Sequence, residues 1–159
     1  RYVTAAVRGE SITWQLFSEP DTGSDIASTR TTAIRDGSDW IINGHKSFVT
    51  ARFDPDQLWT LAVTDQSRPP KLNLGVFMID ASLPGITIKT QNLLVGSERH
   101  IYMEDVRVPA DCLIGDLYQG WEIAQSILIV ERGGYMTDRP DSSTAQTVAQ
   151  YLRDQKQVD

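Results

Sequence analysis

Apolar and polar positions alternate with a period of two through most of residues 11–114. Ile12, Trp14 and Leu16 are separated by polar neighbours, the pattern of a half-buried strand. Ala33-Ile34-Arg35 and Trp40-Ile41-Ile42 flank Asp36-Gly37, while Trp40-Ile41-Ile42 and Ser47-Phe48-Val49 flank Asn43-Gly44. Asp-Gly and Asn-Gly supply the positive φ angles of tight hairpin turns, so the pattern predicts a three-stranded meander. Further strands are predicted over 58–64, 74–80, 86–89 and 101–108, punctuated by Arg68-Pro69-Pro70 and Leu83-Pro84-Gly85. No helical period interrupts them. The expected fold class is all-β, a sandwich or barrel of short, mostly antiparallel strands.

The ends read differently. Residues 1–8 suggest the end of a polar helix, and a chain that opens on Arg1 inside such a helix is expected to be cut from a longer one. From Gly120, the residues Trp121, Ala124, Ile127, Leu128 and Glu131 recur at helical spacing, and Gly133-Gly134 predict the stop. A second helix is predicted over 143–156, with Val148 and Leu152 as its apolar stripe.

Composition narrows the function classes. The 159 residues suit one compact domain, and the net charge of −6 disfavours a nucleic-acid partner and an anionic membrane surface. No segment approaches the ~20 apolar residues of a membrane span. Cys112 is the one cysteine, so no internal disulfide forms, and it reads as a small buried apolar residue rather than a nucleophile. His45 and His100 are too few for a metal site without carboxylates, and Glu104-Asp105 lies in an apparent strand where neighbours point apart, so no metal is expected.

Three motifs are candidates for chemistry. Ser18-Glu19-Pro20-Asp21-Thr22-Gly23-Ser24-Asp25 follows the first strand. Pro20 and Gly23 force a turn that bares N–H groups beside hydroxyls, a plausible nest for a phosphate or a carbonyl oxygen; the bland alternative is a polar strand-to-strand loop. Phe48-Val49-Thr50 puts an aromatic and a hydroxyl on one strand face, fit to stack on a planar ring and bond its edge; the bland alternative is a core Phe beside a strand-end Thr. Met103-Glu104-Asp105-Val106-Arg107-Val108-Pro109 reads as a strand stopped by proline, with Val106 and Val108 facing the core and Asp105 and Arg107 facing away.

Together, "SEPDTGSD", an "NG" turn, "FVT", "EDVRVP" and a "GW" that opens a helix resemble the acyl-CoA dehydrogenase family over residues 8–131. The resemblance implies a middle β-domain of a flavoprotein that oxidises acyl-CoA thioesters to 2,3-enoyl-CoA. It divides the chain into the end of an N-terminal helical domain (1–10), the middle β-domain (11–118) and the start of a C-terminal helical domain (119–159). It implies FAD as cofactor. Gln15, Leu16, Phe17 and Ser18 would line the pyrimidine edge of the flavin, with Ser18 where the family usually has Thr. Gly23 belongs to the same loop. Ser24 would contact the pyrophosphate and lie near the substrate thioester. Phe48, where the family more often has Trp, would stack on the ring, with Val49 beside it and Thr50 bonded near the reactive nitrogen. Residues 95–100 fit the family poorly, at a place where acyl-CoA contacts can occur.

The resemblance also implies that the catalytic base lies beyond Asp159, so no catalytic residue is assigned here. Expected partners are an acyl-CoA substrate, a second copy of the full-length protein (dimer or tetramer) and an electron-transfer flavoprotein or similar acceptor. The expected compartment is cytoplasmic, or the mitochondrial matrix in a eukaryote. The alternatives are an acyl-CoA oxidase, nitroalkane oxidase or flavin monooxygenase built on the same domain, a non-enzymatic β-sandwich binding module, and a cofactor-free subunit of a hetero-oligomer.

Overall fold

The computed structural model describes residues 2–133. The chain divides into two compact units, residues 1–125 and 126–159. The first begins with α1 (Tyr2–Val7), followed by β1 (Thr13–Leu16), β2 (Thr32–Asp36), β3 (Asp39–Val49), β4 (Gln57–Val63), β5 (Leu74–Asp80), β6 (Ile86–Asn92), β7 (Ser97–Val108) and β8 (Leu113–Ile114). The helix α2 (Gly120–Glu131) starts in this unit. The helix predicted over 143–156 lies outside the described residues.

The strands form one sheet in the order β6-β7-β3-β2-β4-β5-β8, with β1 paired in parallel to β4. Inward side chains from β1, β3, β4, β5 and β7 meet in one apolar cluster, including Trp14, Leu16, Ile42, Leu58, Phe77, Ile101 and Val106. Trp40 and Phe77 meet edge to face at 5.4 Å between ring centroids. A single sheet whose one face gathers in this way is curled into a barrel-like form, and each large apolar side chain so buried contributes about 1.5–3 kcal/mol. Cys112 lies in the same cluster, as its neighbours in sequence suggested.

The first predicted hairpin forms. Asp36 pairs with Asp39 across Gly37-Ser38, and Gly37 takes a φ of 61°. The second does not, and this corrects the predicted meander: β3 runs unbroken through Asn43-Gly44, so the two predicted strands are one. Gly44 has no positive φ. It is required instead by close approach, since a Cβ there would stand 2.3 Å from Thr31 Oγ1. Asn43 acts on the neighbouring strand. Ile42 pairs with Val106 and Gly44 with Met103, so Asn43 alone faces Glu104 and Asp105. That two-against-one count is a β-bulge. The Asp105 N–H donates to Asn43 Oδ1 at 2.8 Å, and Asn43 Nδ2 donates to Asp105 Oδ1 at 3.0 Å, which holds Asp105 at a φ of 50°. The bulge also corrects the expectation that Glu104 and Asp105 alternate across the sheet, because both are exposed. Beyond it, Val106 and Val108 re-enter the core, and Arg107 faces out to bond Asp36 and Asp39 at the β2–β3 hairpin.

Candidate functional site

The candidate site is built where β2 leaves space. β2 pairs with β3 only from Asp39 to Asn43, and it meets β4 at a single position, Thr32 with Val63. The remainder of that β3 edge is taken by the residues just after β1. The Ser47 N–H donates to the Ser18 carbonyl at 3.0 Å, so the end of β1 and the end of β3 lie side by side. The two candidate motifs, thirty residues apart in sequence, therefore meet along one backbone contact.

A buried ion pair fixes this junction. Lys46 is fully buried, and its Nζ stands 2.8 Å from Glu19 Oε1. The same carboxylate accepts from the Thr31 hydroxyl at 2.7 Å, the Thr31 N–H at 3.0 Å and the Arg30 N–H at 2.8 Å. One side chain thus ties together the loop after β1, the segment before β2 and β3. Burial pushes the Glu19 carboxyl up, but the Lys46 ammonium and the hydrogen bonds from Lys46 and Thr31 outweigh it, so Glu19 lies below its ordinary value. Burial lowers Lys46 to about 8, with Glu19 opposing the shift. Both groups are charged at neutral pH. Sequence reasoning gave neither a role; the only available signal was a lysine at a strand position otherwise occupied by buried residues.

The loop that follows turns through a mutual pair of backbone bonds, Glu19 N–H to the Thr22 carbonyl at 2.7 Å and Thr22 N–H to the Glu19 carbonyl at 3.0 Å. Beyond it the chain enters a 3₁₀ turn, Ile26–Ser28. Gly23 and Ser24 are exposed at the apex. The hydroxyls of Ser18, Ser24 and Thr50 make no hydrogen bond among the described residues. Gln15 is exposed on the outer side of β1, whereas Phe17 is buried and presents only its backbone to the junction. The Ser47 hydroxyl is buried without a partner among the described residues.

Phe48 is not a core residue: it is 53% exposed. Lys46 pairs with Ile101 and Val49 with Arg99, so Ser47 and Phe48 together face His100. This second bulge places Phe48 at a φ of 62°, a conformation that costs an aromatic residue of order 1–3 kcal/mol. The bulge turns Phe48 outward while Val49 packs against the core and Thr50 returns to the exposed side. Next to Thr50, a cleft is bounded by Ala51 and Arg52 and by the β6–β7 tip at Leu93, Val95, Gly96 and Ser97. The residues that fit the family pattern poorly therefore border the end of the FVT motif. Among the described residues no three His, Cys, Asp or Glu side chains gather to hold a metal ion, and no helix is long and apolar enough to cross a membrane.

These features define a β-domain with two candidate motifs joined at one exposed edge, and comparison with known proteins gives its family. The family "Acyl-CoA dehydrogenase, middle domain" matches residues 15–106, more than half of the chain, and the chain belongs to that family. It is 35% identical over 134 residues to the acyl-CoA dehydrogenase FadE34 of Mycobacterium tuberculosis, covering 83% of this chain and 19% of FadE34. It is 35% identical over 135 residues to FadE29 of the same organism, covering 83% of this chain and 35% of FadE29. The crystal structure of a probable acyl-CoA dehydrogenase from Mycobacterium abscessus superposes with a TM-score of 0.76 at 30% identity, covering 83% of this chain and 36% of that one. The chain thus spans between a fifth and about a third of the proteins it resembles.

Proposed function

We propose that this chain forms one wall of an FAD site in a longer acyl-CoA dehydrogenase-type enzyme. The observation that carries the reading is the Ser47–Ser18 backbone bond, which brings the SEPDTGSD and FVT segments to one exposed edge. The donor set fits the cofactor. Phe48 offers an outward aromatic face, Ser18 and Thr50 offer free hydroxyls at the strand ends, and Ser24 with Gly23 offers an exposed turn suited to a phosphate. Gln15, Phe17 and Val49 would border the cofactor along this edge, Phe17 through its backbone because its side chain is buried. FAD, when bound, accepts the hydride from the acyl β-carbon. The Ser18 and Thr50 donors would stabilise the charge that develops on the ring. Held at the ends of β1 and β3, they would lose little on reorganisation.

The substrate class proposed is an acyl-CoA thioester, oxidised to the 2,3-enoyl-CoA, with the base supplied from outside residues 1–159. A homo-oligomer and an electron-transfer flavoprotein acceptor belong to the same reading. So does the division into N-terminal helical (1–10), middle β (11–118) and C-terminal helical (119–159) parts. The test is substitution in the full-length protein. Ser24→Ala and Thr50→Val are expected to weaken FAD retention or slow flavin reduction by substrate. Unchanged flavin content together with unchanged reduction kinetics in both variants would remove these residues from the site.

A further inference from the structure

A chain of polar side chains runs along the sheet beside Phe48 and is not used by the proposed chemistry. On β7, Ile101 and Met103 face the core, so Glu98, His100 and Tyr102 share the opposite face. Glu98 Oε1 lies 3.1 Å from His100 Nε2, and His100 Nδ1 lies 3.0 Å from His45 Nε2 on β3. The His45 ring stacks on Tyr102 at 4.2 Å between centroids and 18° between planes. Glu98 and His100 are largely buried, at 13% and 16% side-chain exposure.

One donor follows from the chemistry. A carboxylate oxygen only accepts, so His100 Nε2 carries the hydrogen. The His100–His45 contact then has two forms: a neutral His100 accepts at Nδ1 from His45 Nε2, and a protonated His100 donates from Nδ1 to a neutral His45. In either form both ends of the His100 ring are held. That ring is the single residue facing the Ser47-Phe48 bulge, and its centroid lies 6.4 Å from that of Phe48.

We propose that the Glu98–His100–His45 chain positions Phe48, by locking the His100 ring in the gap of the bulge against which Phe48 turns outward. The role is one of positioning, since none of the three is placed against a reacting atom. Its bearing on the cofactor rests on the proposed function above; the positioning itself does not. The charged groups around the two rings are Glu98 and Arg99 on β7, Lys89 on β6, which pairs with His100 and stands 5.1 Å above Tyr102, Lys46 on β3, and Glu19 from the loop after β1. Burial and the neighbouring His100 hold His45 below its ordinary value, with Glu19 opposing them, which favours the uncharged His45 ring that either form of the contact can use.

The experiment is amide hydrogen exchange at Ser47, whose N–H closes the junction with Ser18, in the full-length protein. His45→Phe keeps a ring to stack on Tyr102 and loses the hydrogen-bonding nitrogen; His45→Gln supplies an amide that can donate or accept in its place. Exchange is expected to accelerate roughly tenfold in His45→Phe and to stay near the starting rate in His45→Gln. Protection, corrected for intrinsic rate, is further expected to fall as pH drops below 6.5 in the parent and to fall less in His45→Gln. If His45→Phe does not fold, Glu98→Ala against Glu98→Gln gives the same contrast, because Gln still accepts. Equal protection in all variants overturns the proposal, and so does equal loss in the variants that keep the hydrogen bond and those that lose it. A full-length protein that takes up no flavin would refute the proposed function while leaving this measurement decisive for the positioning claim.

Discussion

The Ser47 amide donates to the Ser18 carbonyl across 3.0 Å, and through that bond two motifs far apart in sequence become one edge. Beneath it, the buried Lys46–Glu19 pair fixes the edge by tying β3 to the loop after β1 and to the segment that leads into β2.

That pair gives the first prediction. Lys46→Met leaves the Glu19 carboxylate buried without its counter-charge and is expected to destabilise the protein by about 3–5 kcal/mol. Adding Glu19→Gln keeps an acceptor for Thr31 and Arg30 without the charge. The double variant should therefore lose clearly less than the sum of the single losses in denaturant unfolding.

Acid stability follows from two lowered values. Glu19 is held below 4.5, so its contribution is present above that pH and is lost as pH falls through and below it. His45 is held below 6.5, so the unfolded chain takes up a proton that the folded chain resists, and stability also falls as pH drops below 6.5. Thermal midpoints should decline in two stages on acidification. His45→Gln should remove the upper stage and leave the lower one.

Gly44→Ala is expected to cost about 1–3 kcal/mol, because the added Cβ meets the Thr31 side chain that bonds Glu19. Gly37→Asn should be nearly neutral by the same thermal measurement. Nothing lies within 4 Å of a Cβ at Gly37, and Asn tolerates its positive φ.

The bulge opposite Asn43 is held by two reciprocal hydrogen bonds. Asn43→Asp replaces a donor with a second carboxylate facing Asp105. It should lower the unfolding midpoint more than Asn43→Ala does, and the gap between the two should narrow at high salt.

The strands, the Gly37 turn and the start of α2 were legible in the sequence because each depends on local period and turn residues. Asn43-Gly44 misled because the same dipeptide suits a hairpin and a strand crossing. Which occurs depends on Thr31 and Asp105, and neither is near in sequence. The site motifs were visible as residue types, and Phe48 as an aromatic. Its outward turn was not, since the bulge exists only in the register of β3 against β7. The Lys46–Glu19 pair and the Glu98–His100–His45 chain were hidden for the same reason: their members come together only through strand pairing.

The most direct test of the flavin reading is the visible absorbance of the purified full-length protein, before and after incubation with FAD. The account predicts a flavin band that survives gel filtration, with Phe48→Ala reducing it. A colourless protein that retains no added FAD would contradict it.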